Sequence, residues 1–324
     1  MYVVTGGAGF IGSALAWKLN QQGVTDLLIV DDLGRGEKWK NLVNLQYADY
    51  LHKTTFLQLL EQGKLGHEIK AVLHMGACSS TTETDAEYLM ENNYRYTKIL
   101  AQYCLRHDIR FIYASSAATY GDGTRGFDDN PSVIHALKPL NMYGYSKQLF
   151  DLWALRSNAI NSIVGLKFFN VFGPNEYHKG EMMSVVCKAF RQIGETGQLR
   201  LFKSHRPGYA DGEQQRDFIY VKDCLDVVWW LLEHRDVNGI FNLGRGQAKS
   251  WNDLARAVFA AMNRPVDIEY IDMPEAIREK YQYFTEAGMQ RLRAVGCPTS
   301  FRSLEAGVAD YVRNYLAAED PYLT

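Results

Sequence analysis

Seven residues near the start of the chain, Gly6-Gly7-Ala8-Gly9-Phe10-Ile11-Gly12, restrict its fold more than any other feature. They follow Tyr2-Val3-Val4-Thr5, an apolar run that reads as a buried strand, and precede residues 13–19, which read as a helix. A second apolar run, Leu27-Leu28-Ile29-Val30, ends on Asp31-Asp32. Strand, glycine turn, helix, strand and acid form the βαβ opening of a dinucleotide-binding fold. Gly6 permits a tight turn, Gly9 lets backbone approach a pyrophosphate, and Gly12 lets the helix pack close to the strand. The helix N-terminus then presents unpaired N–H groups and a partial positive charge to the phosphates. A glycine cluster alone is more often a loop than a nucleotide site. Here the strand, the helix and the acid all stand where the site needs them.

The rest of the chain continues the alternation. Strands are expected at 42–47, 71–74, 110–114 and 162–168, and helices at 53–61, 86–106 and 142–154. This predicts an α/β fold: a doubly wound parallel (Rossmann) sheet with a smaller discontinuous α/β substrate domain. After Asn170 the beat changes, with Gly173-Pro174, a helix over 180–193, a strand over 216–221, a helix over 223–234, a strand over 241–244 and a helix over 251–262. The expected division is 1–170 plus about 217–238 for the dinucleotide-binding domain, and about 171–216 plus 239–324 for the substrate domain. A formal charge of −2 over 324 residues, with both signs dispersed, offers no polyanion-binding surface. No apolar run approaches the roughly 20 residues of a membrane span. The nucleotide fold begins at residue 2, so no signal peptide is expected. Five scattered cysteines show no CxxC pair and no zinc spacing, which fits a reduced cytoplasm and no metal.

Candidate chemistry lies at Tyr143 and Lys147, four apart on the helix expected over 142–154 and so on one face. A neighbouring ammonium is expected to lower the Tyr pKa, and such a Tyr can take the proton of an alcohol as a hydride leaves the same carbon. Tyr-x-x-x-Lys also arises by chance on any amphipathic helix. Ser115-Ser116, at the end of the fifth strand, strengthens the functional reading, because the Ser116 hydroxyl there can hold the substrate oxygen. Arg216, opening the run Arg-Asp-Phe-Ile-Tyr-Val, can clamp a diphosphate bidentately or serve as an ion-pair partner of Asp217.

The glycine turn, Ser116 and Tyr143/Lys147 come in the order and spacing of the extended short-chain dehydrogenase/reductases, which the whole chain resembles. Three segments most resemble the ADP-L-glycero-D-manno-heptose 6-epimerases of that group: 76–83 (GACSSTTE), 113–121 (YASSAATYG) and 168–180 (FFNVFGPNEYHKG). The resemblance implies a nucleotide-sugar epimerase of lipopolysaccharide-core heptose synthesis, with a retained nicotinamide. It also implies a homo-oligomer, often a pentamer. Tyr143 and Lys179 are then the proton-transfer groups on opposite faces of the sugar carbon, with Ser116 and Lys147 assisting. A surface lysine is the bland alternative for Lys179. Cofactor contacts are expected at Gly6, Gly9, Phe10, Ile11, Gly12, Asp31, Asp32, Lys38, Lys53, Met75, Gly76, Ala77, Cys78, Ser79, Asn92, Lys147 and Lys179. Asp31 alone favours NAD; Lys38 and Lys53 offset the acids and favour NADP. Asp49 is expected near the adenine by its place at a strand end. Substrate contacts are expected at Asn170, Glu181, Lys188, Phe202, Arg216 and Tyr281. Three of the expected contacts depart from the family pattern: Met75, on the cofactor side, for Glu, and Glu181 and Lys188, on the substrate side, for Ser and His. A 4,6-dehydratase is disfavoured, since Ala117 and Ala118 stand where it needs an Asp-Glu pair. The competing readings are a hexose 4-epimerase and a non-catalytic NADP-binding sensor.

Overall fold

The computed structural model describes residues 1–65, 68–278 and 281–324. Seven parallel strands form the main sheet: β1 (Tyr2–Thr5), β2 (Leu27–Asp31), β3 (Asp49–His52), β4 (Ala71–His74), β5 (Arg110–Ser116), β6 (Val164–Phe168) and, later in the chain, Gly239–Leu243. Between them in sequence lie β7 (Asn170–Phe172), β8 (Leu199–Phe202) and β9 (Gln215–Tyr220), which makes Gly239–Leu243 β10; β11 (Ala248–Ser250) and β12 (Ile268–Ile271) follow. The main sheet runs β10-β6-β5-β4-β1-β2-β3. Successive side chains on a strand point to opposite faces. Val4, Ile29, Leu73 and Ile112 therefore pack into one core, and Val3, Leu28, Val72 and Phe111 into another beneath the opposite layer. This is the doubly wound arrangement, and it brings Thr5, Asp31, His74 and Ser116 together at the carboxyl ends of the strands.

Two small sheets sit apart from the large one, β11-β9-β7 and β12-β8. Residues 239–243, expected in the smaller unit, instead form the edge strand of the large sheet beside β6, while β9 pairs with β7 and β11.

Three local expectations are corrected. Residues 42–47 are not a strand. Lys38–Leu42 is a short 3₁₀ turn, and the third strand starts at Asp49. Asn20 explains the change: its side chain takes both the N–H and the carbonyl of Gln46, each at 2.8 Å, so those groups cannot enter a ladder. Pairing begins only when Ala48 N–H donates to the Leu27 carbonyl at 2.8 Å. Asp49 thus lies beside Leu28 at the amino end of its strand, away from the ligand edge. The helix expected over 86–106 is interrupted by a π turn at Met90–Arg95, a widening that often accompanies functional side chains. The helix expected from Gly180 starts at Val185, because Gly180 takes φ +54 and breaks the preceding 3₁₀ turn, Tyr177–Met182. Among the described residues no helix is long and apolar enough to cross a membrane, and no cluster of His, Cys, Asp and Glu could hold a metal.

Candidate active site

The glycine turn closes as its sequence requires. Gly6 has φ +64, and a Cβ there would meet Gly76 backbone at 2.6 Å. A Cβ on Gly12 would stand 2.0 Å from the Gly6 carbonyl oxygen, so the helix Phe10–Gln21 reaches this depth only with glycine. That helix begins without a side-chain cap and without an acid in its first turn. Its first amides are left for an anion. A Cβ on Gly9 would find only the Gly6 oxygen close by, at 3.0 Å, and would otherwise project into open space. The turn is thus a cradle suited to a pyrophosphate, and the residues around it fit a dinucleotide.

In front of the turn lies a cleft of about 540 Å³. Gly6, Gly9, Phe10, Ile11, Gly12, Asp31, Asp32, Lys38, Met75, Gly76, Ala77, Ser79, Tyr143, Lys147 and Lys179 all line it. Lys53, Cys78 and Asn92 line an adjoining cavity of about 260 Å³ at the β2 end. Every residue expected on the cofactor side except Asp49 therefore faces one of these two spaces.

The acids at the β2 end are already engaged. Asp31 accepts from the Ala8 N–H at 2.8 Å and pairs with Lys38 at 2.6 Å. Asp32 has the Lys53 ammonium at 4.0 Å, and Lys53 donates to Asn92 at 2.8 Å. Asn93, on the same π turn as Asn92, grips the 76–80 loop by taking the Cys78 N–H and donating to its carbonyl, each at 2.9 Å.

A cavity of about 600 Å³ opens on the other side of Tyr143, which lines it together with Ser116, Asn170, Arg216 and Tyr281. Tyr143 and Phe168 line both this cavity and the dinucleotide cleft, so the phenol stands at their junction. Asn141 caps its helix, accepting the Gly144 N–H at 2.8 Å. Burial raises the Tyr143 pKa, the Ser116 hydroxyl acts against that rise, and nearby Cys78 adds to it. The expected lowering by Lys147 is not found. The Lys147 ammonium is turned away to donate to the Ala114 carbonyl at 2.8 Å. Burial brings its own pKa down to about 8, with Asp151 and Cys78 opposing the fall.

Lys179 is not a solvated surface lysine. It is half-buried, and its ammonium lies 5.3 Å from the centre of the Phe10 ring at the head of the glycine-turn helix. Burial lowers its pKa, with Glu176 opposing.

Arg216 is buried, with Tyr281 and Trp251 flanking its guanidinium at 5.1 and 5.7 Å. It does not pair with Asp217. That carboxylate accepts the N–H groups of Arg245, Gly246 and Ala287 at 2.6, 2.8 and 2.9 Å, and no carboxylate among the described residues forms an ion pair with Arg216. Three other substrate expectations fall outside the cavity. Glu181 is fully exposed and pairs with Lys188 at 3.1 Å, a surface contact that satisfies both. Phe202 ends β8 with its carbonyl turned to the Gln214 side chain at 3.4 Å and does not reach the lining. Sequence reasoning missed Thr81, Thr82, Asn141 and Gln282, which do line it. Thr81 and Thr82 lie in the 76–83 segment already singled out, Asn141 carried a signal as a helix N-cap, and Gln282 carried none.

The pattern of the NAD-dependent epimerase/dehydratase family matches residues 2–244. The ADP-L-glycero-D-manno-heptose-6-epimerase of Nitratidesulfovibrio vulgaris strain DP4 is 62% identical over 323 residues, covering 100% of each chain. The protein of the same name from Fusobacterium nucleatum is 49% identical over 332 residues, again covering 100% of each. The crystal structure of the Helicobacter pylori ADP-L-glycero-D-manno-heptose-6-epimerase superposes with a TM-score of 0.82 at 26% identity, covering 98% of this chain and 96% of that one.

Proposed function

The chain belongs to the NAD-dependent epimerase/dehydratase family, and from that premise we propose that Tyr143 and Lys179 are the two acid/bases of a sugar epimerisation, working with NADP. The reaction is epimerisation at C6 of the heptose of ADP-D-glycero-D-manno-heptose, giving ADP-L-glycero-D-manno-heptose. A carbinol carbon of this kind has no acidic hydrogen. Inverting it requires oxidation to a ketone, reorientation and reduction on the other face. The nicotinamide, when bound, accepts the hydride and returns it. Each face needs a group to remove and restore the alcohol proton.

The observation that carries the assignment is the position of Tyr143, between the dinucleotide cleft and the cavity holding Arg216, with Lys179 on the wall of the same cleft. Tyr143 is held protonated by burial, ready to donate to the ketone oxygen. Lys179 is moved by burial toward the neutral form that can accept a proton. Ser116 orients the oxygen next to the phenol, and Lys147 serves the nicotinamide ribose. Arg216, with Tyr281 and Asn170 beside it, takes the diphosphate of the sugar nucleotide. NADP is favoured over NAD because Lys38 and Lys53 stand against Asp31 and Asp32 and supply positive charge for a 2′-phosphate.

We assign 2–168, the helix Val221–Glu233 and β10 to the cofactor unit, and the two small sheets with their own helices to the substrate unit. The resemblance supports a homo-oligomer, a pentamer, working in the cytoplasm; sedimentation mass checks the assembly.

The two-base assignment is tested with Tyr143→Phe and Lys179→Met, followed by NMR of ADP-heptose. Acid/base groups contribute about 10²–10⁴-fold, and losing either should stop epimerisation while bound nicotinamide fluorescence persists. An analogue with an aldehyde at the sugar terminus, which two molecules can disproportionate through the cofactor, should fail in both variants. Near-normal epimerisation by Lys179→Met would refute its role, even with Tyr143 essential.

A further inference from the structure

Asn41, which neither the sequence reading nor the proposed chemistry uses, joins the backbone of the glycine turn to the segment that carries Lys179. Asn41 lies within the Lys38–Leu42 turn and is 4% exposed. Its amide nitrogen lies 2.9 Å from the Ala8 carbonyl oxygen, 3.0 Å from the Asn175 carbonyl oxygen and 3.2 Å from Nδ1 of His178. Two carbonyl oxygens can only accept, so the NH₂ group must face them. The two hydrogens of that group are shared among three acceptors, and His178, which faces this donor at Nδ1, is unprotonated there and carries its hydrogen on Nε2. Burial, with help from Lys38 and Lys179, brings its pKa down to about 4, which keeps the ring neutral in that role.

Each partner leads to a different part of the site. Ala8 is in the glycine turn, and its N–H is held by Asp31, the partner of Lys38. His178 immediately precedes Lys179, Asn175 lies four residues before it, and Gly180, with φ +54, kinks the turn just after it. Other contacts also hold this segment: Asn175 donates to Ser13 on the glycine-turn helix at 3.0 Å and accepts from Leu323 N–H at 3.1 Å, and Tyr177 donates to the Pro321 carbonyl at 2.6 Å. The side-chain contact given to His178, the residue next to Lys179, comes from Asn41.

We infer that Asn41 is a positioning residue that couples occupation of the glycine turn to the placement of Lys179. A dinucleotide satisfies the uncapped amides of Phe10–Gln21 and orders the turn. That fixes the Ala8 carbonyl, and Asn41 transmits the order to Asn175 and His178. The coupling is a property of the backbone; only its catalytic meaning rests on the acid/base reading of Lys179.

The test is backbone hydrogen exchange over residues 175–182, with and without NADP⁺, in wild type and Asn41→Ala. In wild type NADP⁺ should slow exchange there about tenfold. In Asn41→Ala the segment should exchange faster and no longer respond, while residues 6–12 still become protected. Turnover should fall at least tenfold with the KM for ADP-heptose within about twofold. If Asn41→Ala does not fold, Asn41→Ser, whose hydroxyl serves only one carbonyl, is read the same way. A segment that keeps its NADP⁺ response without the Asn41 amide overturns the coupling, whatever Lys179→Met does. A response lost with epimerisation intact leaves the coupling standing and removes Lys179 from the chemistry.

Discussion

The cofactor side and the substrate side of this cleft treat charge in opposite ways. On the cofactor side the carboxylates are matched before any ligand arrives: Asp31 holds Lys38 at 2.6 Å, and Asp32 has Lys53 at 4.0 Å. The lysines are arranged by the fold, and a 2′-phosphate would compete with carboxylates already in place. On the substrate side Arg216 is buried between two aromatic rings, and no described acid pairs with it. Burial lowers its pKa, with Tyr281 and Tyr209 opposing, yet arginine stays charged at any working pH. A buried cation without a counter-charge is costly unless a ligand supplies one. The difference suits a reaction in which the dinucleotide stays through the cycle and the sugar nucleotide comes and goes.

The sharpest way to break this comparison is Arg216→Met, which keeps an unbranched apolar stem between Trp251 and Tyr281. A hydrogen bond to a charged group contributes about 1.5–3 kcal/mol, so the KM for ADP-heptose should rise about 10–100-fold while nicotinamide binding is unchanged. An unaltered KM would mean that Arg216 serves the fold and not the diphosphate. A smaller effect is expected across the cleft. Lys53→Ala should weaken NADP by about 3–10-fold, the scale of one partly exposed charge contact of about 1 kcal/mol, and leave NAD nearly unaffected. Equal calorimetric losses for the two would show that Lys53 does not read the 2′-phosphate.

The cofactor side was also the more legible in the sequence, for the same structural reason. Its residues hang on strand ends and a glycine turn, where local pattern dictates position: Gly12 can only be glycine, and Gly6 needs a positive φ. Lys53–Glu61 and Ala71–His74 fall where periodicity places them. The substrate side is assembled from residues far apart in sequence. Thr81, Asn170, Arg216 and Gln282 meet only after the small sheets form, and no spacing encodes that meeting. Glu181 and Lys188 were misplaced because the turn ending at Gly180 throws the next residues outward. The third strand was misplaced because the Asn20 side chain, a tertiary contact, takes the Gln46 backbone. The pKa of Tyr143 was misjudged because four residues of spacing place Lys147 on the same helix face but do not say that its ammonium turns to Ala114.

The two sides should also respond oppositely to acid. The cofactor side holds two neutral histidines. Burial, and to a lesser degree Lys147, lowers His74 from 6.5 to about 3. Burial, with Lys38 and Lys179, lowers His178 to about 4. Depressed folded values mean that the unfolded chain takes up protons first, so their stabilisation is present above pH 6.5 and is lost as pH falls toward 4. On the substrate side Asp217 is raised from 3.8 to about 6, by burial against the pull of its three backbone donors. Its sign is reversed: its contribution is full below 3.8 and is lost as pH rises through about 6. Between pH 7 and 5 the histidines therefore weaken the fold while Asp217 partly offsets them, and ordinary carboxylates have barely begun to titrate. His178→Gln keeps an acceptor for Asn41 and removes one titrating ring. One pKa unit corresponds to about 1.4 kcal/mol, and at half-burial the variant should lose about 1 kcal/mol less than wild type between these pH values, read from urea midpoints. Asp217→Asn should lose more than wild type over the same interval. The same acid loss in His178→Gln and wild type would mean that His178 is not kept neutral in the folded protein, and the hydrogen-bond direction assigned to its Nδ1 would fail with it.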